Sequence, residues 1–380
     1  MERHLVTRGI RLSLIDRRSS KRLDWIFLTL ILLLTVLGLA NLYSATYAQG
    51  APGLSPIFRR QLFALSAALT ALVVVALIDY RKLERFSGFI FVGTLILLAS
   101  TLVFSPLIQG NRSWLLYGSF SVQPSEFAKV GLVIVMARYL HHHPPVQKST
   151  LRDLFILAFL AFCPVFLIVL QRDLGVAVLT TLVALTYLPF IRVTAKIWAV
   201  LGFSGAVFLL GVWKFFLKTY QRDRILDFFD PSRDPLSSGY QALQSKIAVG
   251  SGGVFGRGFL EGTQTHLQFL PTKHSDFVFS VLGEEWGFLG TSIVIFLYVT
   301  MLIWGLSIAR NAKDTFGAMV AIGVTGMFFW PAAMNIGMVL GLAPVIGVPL
   351  PLFSYGGSSL VSAYIGLGLL LNISMRRYIF

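Results

Sequence analysis

Long apolar runs separated by short polar loops occupy most of the chain. A helix that crosses the hydrocarbon of a bilayer needs about 20 mostly apolar residues, because every backbone amide must be paired within the segment. Ten stretches meet that need, near 25–45, 61–78, 86–105, 124–140, 153–170, 175–190, 196–216, 277–306, 315–341 and 354–374. The pair over 153–190 is divided only by QRDLG at 171–175, where two charges and a glycine interrupt one overlong run. The pattern predicts an all-α integral membrane protein of about ten transmembrane helices, with a basic tail over 1–24 and a single polytopic membrane domain over 25–380. A cleavable signal peptide is the competing reading of 1–45, but the run from Trp25 to Asn41 outlasts the roughly 7–15 residues of a signal core.

Composition narrows the class. The 380 residues are 56% apolar and 13% charged, against about 25% charged in soluble domains, which excludes a disordered chain and an ordinary soluble enzyme. Lys and Arg number 32 against 17 Asp and Glu, a formal charge of +15; in a soluble protein that excess would suggest nucleic acid, so its placement decides. One side collects the basic tail, Arg81, Lys82 and Arg85, the 138–152 loop, Arg192 and Lys196, Arg310 and Lys313, and Arg376 with Arg377; the short loops of the other hold only Arg59, Arg60, Arg112 and Arg172. Positive loops stay in the cytoplasm, so both termini are expected there and no nucleic-acid partner is expected. The lone Cys163 provides neither an internal disulfide nor a thiolate metal cage.

One loop is long enough to hold structure of its own, the extracytoplasmic segment 217–275 between helices 7 and 8. It carries Lys218, Arg222, Arg224, Arg233, Lys246, Arg257 and Lys273, which suit an anionic ligand at the outer surface or, more plainly, contact with lipid headgroups. Its glycine run GSGGVFGRG at 250–258 has neither dinucleotide-binding nor P-loop spacing and reads as tight turns. The consecutive His141, His142 and His143 have diverging side chains and sit on the opposite side, so a metal site is not expected there.

Ionisable groups at membrane depth are costly and therefore candidates for function until paired. In VQPSEFAK, Glu126 and Lys129 are three apart on one helix face, so they either neutralise one another or line a polar cavity opening outward. Asp173 lies at the outer junction of helices 5 and 6, where Arg172 is its local alternative partner. Glu284 and Glu285 sit inside the eighth span and require a polar partner. Asp276 opens that span beside Lys273 and His274, as a dipole-favoured helix charge or as an outward-facing base at headgroup depth.

NRSWLLYGSFSVQPSEFAK (111–129), QRDLG (171–175), DPLSSGYQALQSKIAVGSGGVFGRGFLEGTQ (234–264), FLPTKHSDFVFSVLGEEWG (269–287) and GVPLPLFSYGGSSL (347–360) together resemble the SEDS family from the first span to the last. The GYQALQSKIAVGSGG and GVPLPLFSYGG stretches resemble its elongation branch, RodA-like, more than its division branch, FtsW-like. The resemblance implies a bacterial peptidoglycan glycosyltransferase with an outward-facing cavity, acting on lipid II and the growing glycan strand in the membrane, beside a class B penicillin-binding protein transpeptidase. Its essential aspartate falls on Asp276, its motif glutamate and lysine on Glu126 and Lys129, its D-L-G aspartate on Asp173 and its loop tryptophan on Trp114, near Arg112. Arg172 stands where many relatives have proline, and Ser113 separates Arg112 from Trp114.

For such a substrate the leaving group is a diphosphate that departs as an anion, so one carboxylate suffices, unlike glycoside hydrolysis with its two. Asp276 is then the general base on the acceptor's 4-hydroxyl, with Lys273 and the helix N-terminus expected to favour its anion. Lys129, Arg222, Lys246, Arg257 and Lys273, or a divalent cation such as Mg2+ or Mn2+, are the candidates to meet the departing charge. A lipid II flippase needs similar spans and charges, and a scaffold without chemistry needs only the spans.

Overall fold

In the computed structural model the described residues are 23–47, 53–107, 110–118, 120–144, 151–191, 219–229, 238–266 and 272–377, with isolated positions between 199 and 214. The predicted span 196–216, the tail 1–22, Lys218 and Arg233 lie outside them or almost wholly so. The helices are α1 (Trp25–Thr46), α2 (Pro56–Leu77), α3 (Tyr80–Phe104), α4 (Pro124–His142), α5 (Leu151–Leu170), α6 (Leu174–Leu185), α7 (Thr219–Phe229), α8 (Ser238–Ser251), α9 (Thr263–His266), α10 (Val278–Arg310), α11 (Thr315–Leu340) and α12 (Gly357–Arg376). A two-stranded antiparallel hairpin, β1 (Leu115–Tyr117) and β2 (Phe120–Val122), leads into α4.

Seven of these helices, α1, α2, α3, α5, α10, α11 and α12, are long and apolar enough to cross a membrane. Beside them stand α4, whose 19 residues carry the buried Glu126 and Lys129, and α6, which stops after 12 residues. The membrane class holds, while the expected ten spans are not all reached among the described residues.

Local chemistry shifts two predicted boundaries. Ser55 accepts from Phe58 N at 3.2 Å ahead of Pro56 at the first turn, and Asp79 accepts from Arg81 N at 3.0 Å. These caps satisfy amides that would otherwise be orphaned and start α2 and α3 five and six residues before the apolar runs begin. Arg59, Arg60, Arg81, Lys82 and Arg85 therefore ride on the first two turns of helices rather than in loops. The predicted single helix over 277–306 is also interrupted, because Gly287 adopts φ 64° and ψ −160° and divides α10 into two segments.

The centre of the bundle is α11 and α12, whose apolar windows are 78% and 83% buried within the protein, against 22% for α2, α3 and α5. The outer helices turn Phe63, Phe89, Phe104 and Phe155 outward, as expected where the surrounding solvent is hydrocarbon. At one end of the bundle Asp24 accepts from Trp304 Nε1 and Ser374, Tyr80 donates to Asp314, Arg376 meets Asp79, and His141 and His142 both approach Glu84. These are the ends that the basic-residue pattern groups together; the opposite end holds the acidic residues of interest.

Candidate active site

Asp276 ends a turn, 272–277, that precedes α10. The turn closes on Thr272 O, which accepts from the N–H of Ser275 at 3.0 Å and of Asp276 at 3.1 Å. Its outward carbonyls are taken one by one. Tyr355 N donates to His274 O at 2.8 Å, Ser354 Oγ donates to Ser275 O, and Asn335 Nδ2 donates to Asp276 O at 2.7 Å. Thus the 347–355 strap and α11 hold the turn through its main chain. Gly347 takes the strap past the carboxylate at φ 69°, a left-handed conformation that favours glycine, and a Cβ there would be in van der Waals contact with Asp276 Oδ2.

The Asp276 side chain is half-buried. Burial pushes its carboxyl above the usual aspartate range; the Ser275 hydroxyl and the Arg224 charge oppose that shift, and the Asp173 charge adds to it. The sequence reading gives the cationic role to Lys273; among the described residues, the cation that opposes the upward shift of Asp276 is Arg224, from the same basic loop, while Lys273 loses proton affinity through burial with Glu284 and Glu285 opposing that loss. The N-cap of α10 is Phe277, which makes no side-chain capping bond. His274 packs edge-on against Tyr355 at 5.8 Å, and burial with the Lys273 charge pushes its imidazole down.

Asp173 caps α6, accepting from Val176 N at 3.2 Å, while its other oxygen accepts from Gln123 Nε2 at 3.1 Å. Those bonds replace the expected Arg172 pair: Arg172 is exposed at φ 67° and makes no ion pair among the described residues. Burial pushes the Asp173 carboxyl up, Glu126 adds to this, and the Val176 amide, Lys129 and Gln123 oppose it. Glu126 and Lys129 meet at 2.8 Å, almost fully buried, and Ser362 Oγ donates to the second carboxylate oxygen at 3.2 Å. The pair neutralises itself and also lines a cavity with Leu179, Pro331, Pro349 and Ser359. Charge interaction links Asp276 to Asp173 and Asp173 to Glu126, so the three carboxylates form one chain across the end of the bundle. Arg112 and Trp114 flank it: Arg112 N donates to Gln171 O at 3.0 Å, and half-buried Trp114 is held through its carbonyl by Ser105 Oγ at 2.8 Å.

The remaining basic candidates separate. Lys246, with its alkyl stem laid over Gly341, shares a cleft with Arg224, Asp227, Phe228 and Val345. Arg222 instead donates to Lys214 O at 3.0 Å. Arg257 is occupied within its own loop, donating to Ser251 O at 3.3 Å and Thr263 Oγ1 at 2.8 Å.

The intramembrane pair also finds its partners. Glu284 accepts from Gln264 N at 2.7 Å and Thr263 Oγ1 at 3.3 Å, and Glu285 accepts from Ser44 of α1. Their backbone carbonyls accept from Arg257 N and Gly258 N at 3.0 and 3.1 Å, while Phe288 N and Leu289 N donate to Gly253 O and Val254 O at 2.9 and 3.0 Å. The glycine run thus seats its main chain directly on the break in α10. A Cβ at Gly252 or Gly256 would fall on the carbonyl of Gly283 or Glu285. Among the described residues no cluster of three or more His, Cys, Asp or Glu is placed to hold a metal ion.

Residues 24–379 match the family model described as cell cycle protein, FtsW/RodA/SpoVE. The chain is 38% identical over 360 residues to the peptidoglycan glycosyltransferase MrdB of Escherichia coli strain K12, covering 93% of this chain and 95% of that protein. Its fold resembles a chain of a peptidoglycan synthase complex solved for the coordination of polymerization and crosslinking, with a TM-score of 0.78 and 32% identity over 94% of this chain and 99% of that one. It also resembles the rod shape determining protein RodA of Thermus thermophilus, with a TM-score of 0.66 and 30% identity over 94% of this chain and 98% of that one.

Proposed function

The chain belongs to the FtsW, RodA and SpoVE family of cell cycle proteins and is a peptidoglycan glycosyltransferase of the elongation branch, and we propose that it polymerises lipid II with Asp276 as general base. The observation that carries this reading is the half-buried Asp276 carboxylate, whose own oxygens are lightly bonded among the described residues while its turn is held through three backbone carbonyls. A base works best when its pKa approaches the working pH, and burial moves Asp276 that way.

In the proposed step Asp276 takes the proton of the acceptor's 4-hydroxyl as that oxygen attacks the anomeric carbon of the donor sugar. The bond from the sugar to the diphosphate breaks, undecaprenyl diphosphate leaves as an anion, and an α-phosphate becomes a β-glycoside. The cleft that holds Arg224 and Lys246 is the place for the departing charge. The small cavity at Glu126 and Lys129, with Ser359 and Ser362 among its mostly apolar lining, lies on the side of the site where the saccharide would sit. A Mg2+ or Mn2+ ion bound at the cleft of Arg224 and Lys246 would add positive charge to meet the departing diphosphate.

The basic ends of the bundle support cytoplasmic termini, a bacterial cytoplasmic membrane and a site on its outer face. The likeness to a chain from a synthase complex supports a crosslinking partner, a class B penicillin-binding protein transpeptidase. The test is polymerisation of purified lipid II by the purified protein, alone and with that partner. Asp276→Ala is expected to fold and make no polymer; normal polymer from it would overturn the assignment.

A further inference from the structure

Asn335 lies on α11, in its penultimate turn, with its side chain fully buried. A neutral amide at such a position is costly unless its donors are satisfied. Both are: Nδ2 donates to Asp276 O at 2.7 Å and to Val348 O at 2.6 Å. The carboxamide oxygen has no partner among the described residues. Because both facing groups are carbonyls, the nitrogen must be the atom turned toward them, whichever way a carboxamide is first drawn.

The two carbonyls belong to different segments. Asp276 O is in the turn that carries the carboxylate, and Val348 follows Gly347, where a Cβ would touch Asp276 Oδ2. One amide therefore fixes the spacing between the carboxylate and the strap beside it. Fixing the Asp276 carbonyl fixes the peptide plane after its Cα, and with it the direction in which the side chain leaves the backbone. The platform is α11, one of the two most buried helices, so the anchor is rigid.

We propose that Asn335 is a positioning residue for the glycosyl transfer, aiming the Asp276 carboxylate by bridging Asp276 O to Val348 O. The proposal rests on the reading of Asp276 as base. Asn335→Asp preserves shape but turns both donors into acceptors. Near neutral pH it is expected to lower kcat for lipid II polymerisation by about 100-fold with KM unchanged, the scale of a small misplacement of a reacting group. As pH falls the new carboxyl protonates and regains one donated bond, so the variant's rate rises relative to wild type; Asn335→Ala shows the same loss without that pH dependence. Ser354→Ala, which removes the neighbouring bond to Ser275 O, is expected to lower kcat less, again with KM unchanged.

A wild-type kcat in Asn335→Asp or Ser354→Ala overturns the proposal. So does a loss that follows only the folded fraction, or a variant-to-wild-type ratio that stays flat with pH in Asn335→Asp. If Asn335→Asp is normal while Asp276→Ala is dead, positioning alone falls; if Asp276→Ala polymerises, both readings fall.

Discussion

Asp276 and Glu284 stand on either side of the start of α10, and they are held in opposite ways. Glu284 is secured through its carboxylate, which takes the Gln264 amide and the Thr263 hydroxyl of the overlying loop. Asp276 is secured through its carbonyl and those of its two predecessors, and among the described residues its carboxylate receives the neighbouring Ser275 hydroxyl alone. A carboxylate whose oxygens are saturated by fixed donors holds the fold together; one whose backbone is saturated instead keeps its oxygens available for a proton.

The sharpest way to break this contrast is to exchange the consequences of removing each group. Asp276→Asn is expected to cut polymerisation by about 10²–10⁴-fold, the usual worth of a general base. It should not cost stability. With the folded-state pKa raised, the wild-type carboxyl favours the folded form fully below its unfolded pKa and loses that contribution as pH rises through the folded value. The melting temperature of Asp276→Asn relative to wild type should therefore climb with pH, and a gap that shrinks would contradict the assigned shift.

The Glu126–Lys129 pair is the next largest effect, because both are buried and each is the other's partner. Lys129→Met leaves a carboxylate uncompensated and is expected to cost about 3–5 kcal/mol, read by thermal unfolding in detergent; a Glu126→Lys, Lys129→Glu exchange that restores both stability and activity would make the pair purely structural. Glu284→Ala should cost about 1–3 kcal/mol by stranding the Gln264 amide, with activity falling only as the folded fraction falls. The smallest effect on stability is that of Arg224→Gln, since Arg224 is exposed. It removes one cation from the cleft assigned to the departing diphosphate, so kcat should fall, and the charge that opposes the upward shift of Asp276 is lost, so the ascending limb of the pH–rate profile should move to higher pH.

Much of the architecture was legible because apolar runs of spanning length and the placement of Lys and Arg are one-dimensional signals. Asp276 and the Glu126–Lys129 pair were legible for the same reason, as charges where charge is costly. What escaped depended on contacts. The early starts of α2 and α3 are set by single capping bonds, and the break at Gly287 by a distant glycine run that needs its space. Lys273 was assigned to Asp276 by adjacency, yet a turn sends neighbouring side chains apart, whereas Arg224 arrives from another helix. Arg222 and Arg224, two residues apart on α7, face different surroundings for the simple reason that a helix rotates about 200° in two steps. Asn335 offered only a faint signal, one neutral amide in an apolar helix.

Where the glycine run meets the break in α10, Gly252, Gly256 and Gly287 leave no volume for a Cβ, because each would fall on backbone of the facing segment. Between them Val254 and Phe255 turn their side chains outward. The seam is therefore closed to side-chain exchange at those three positions, and variation in what this stretch presents to its surroundings falls to the residues between them.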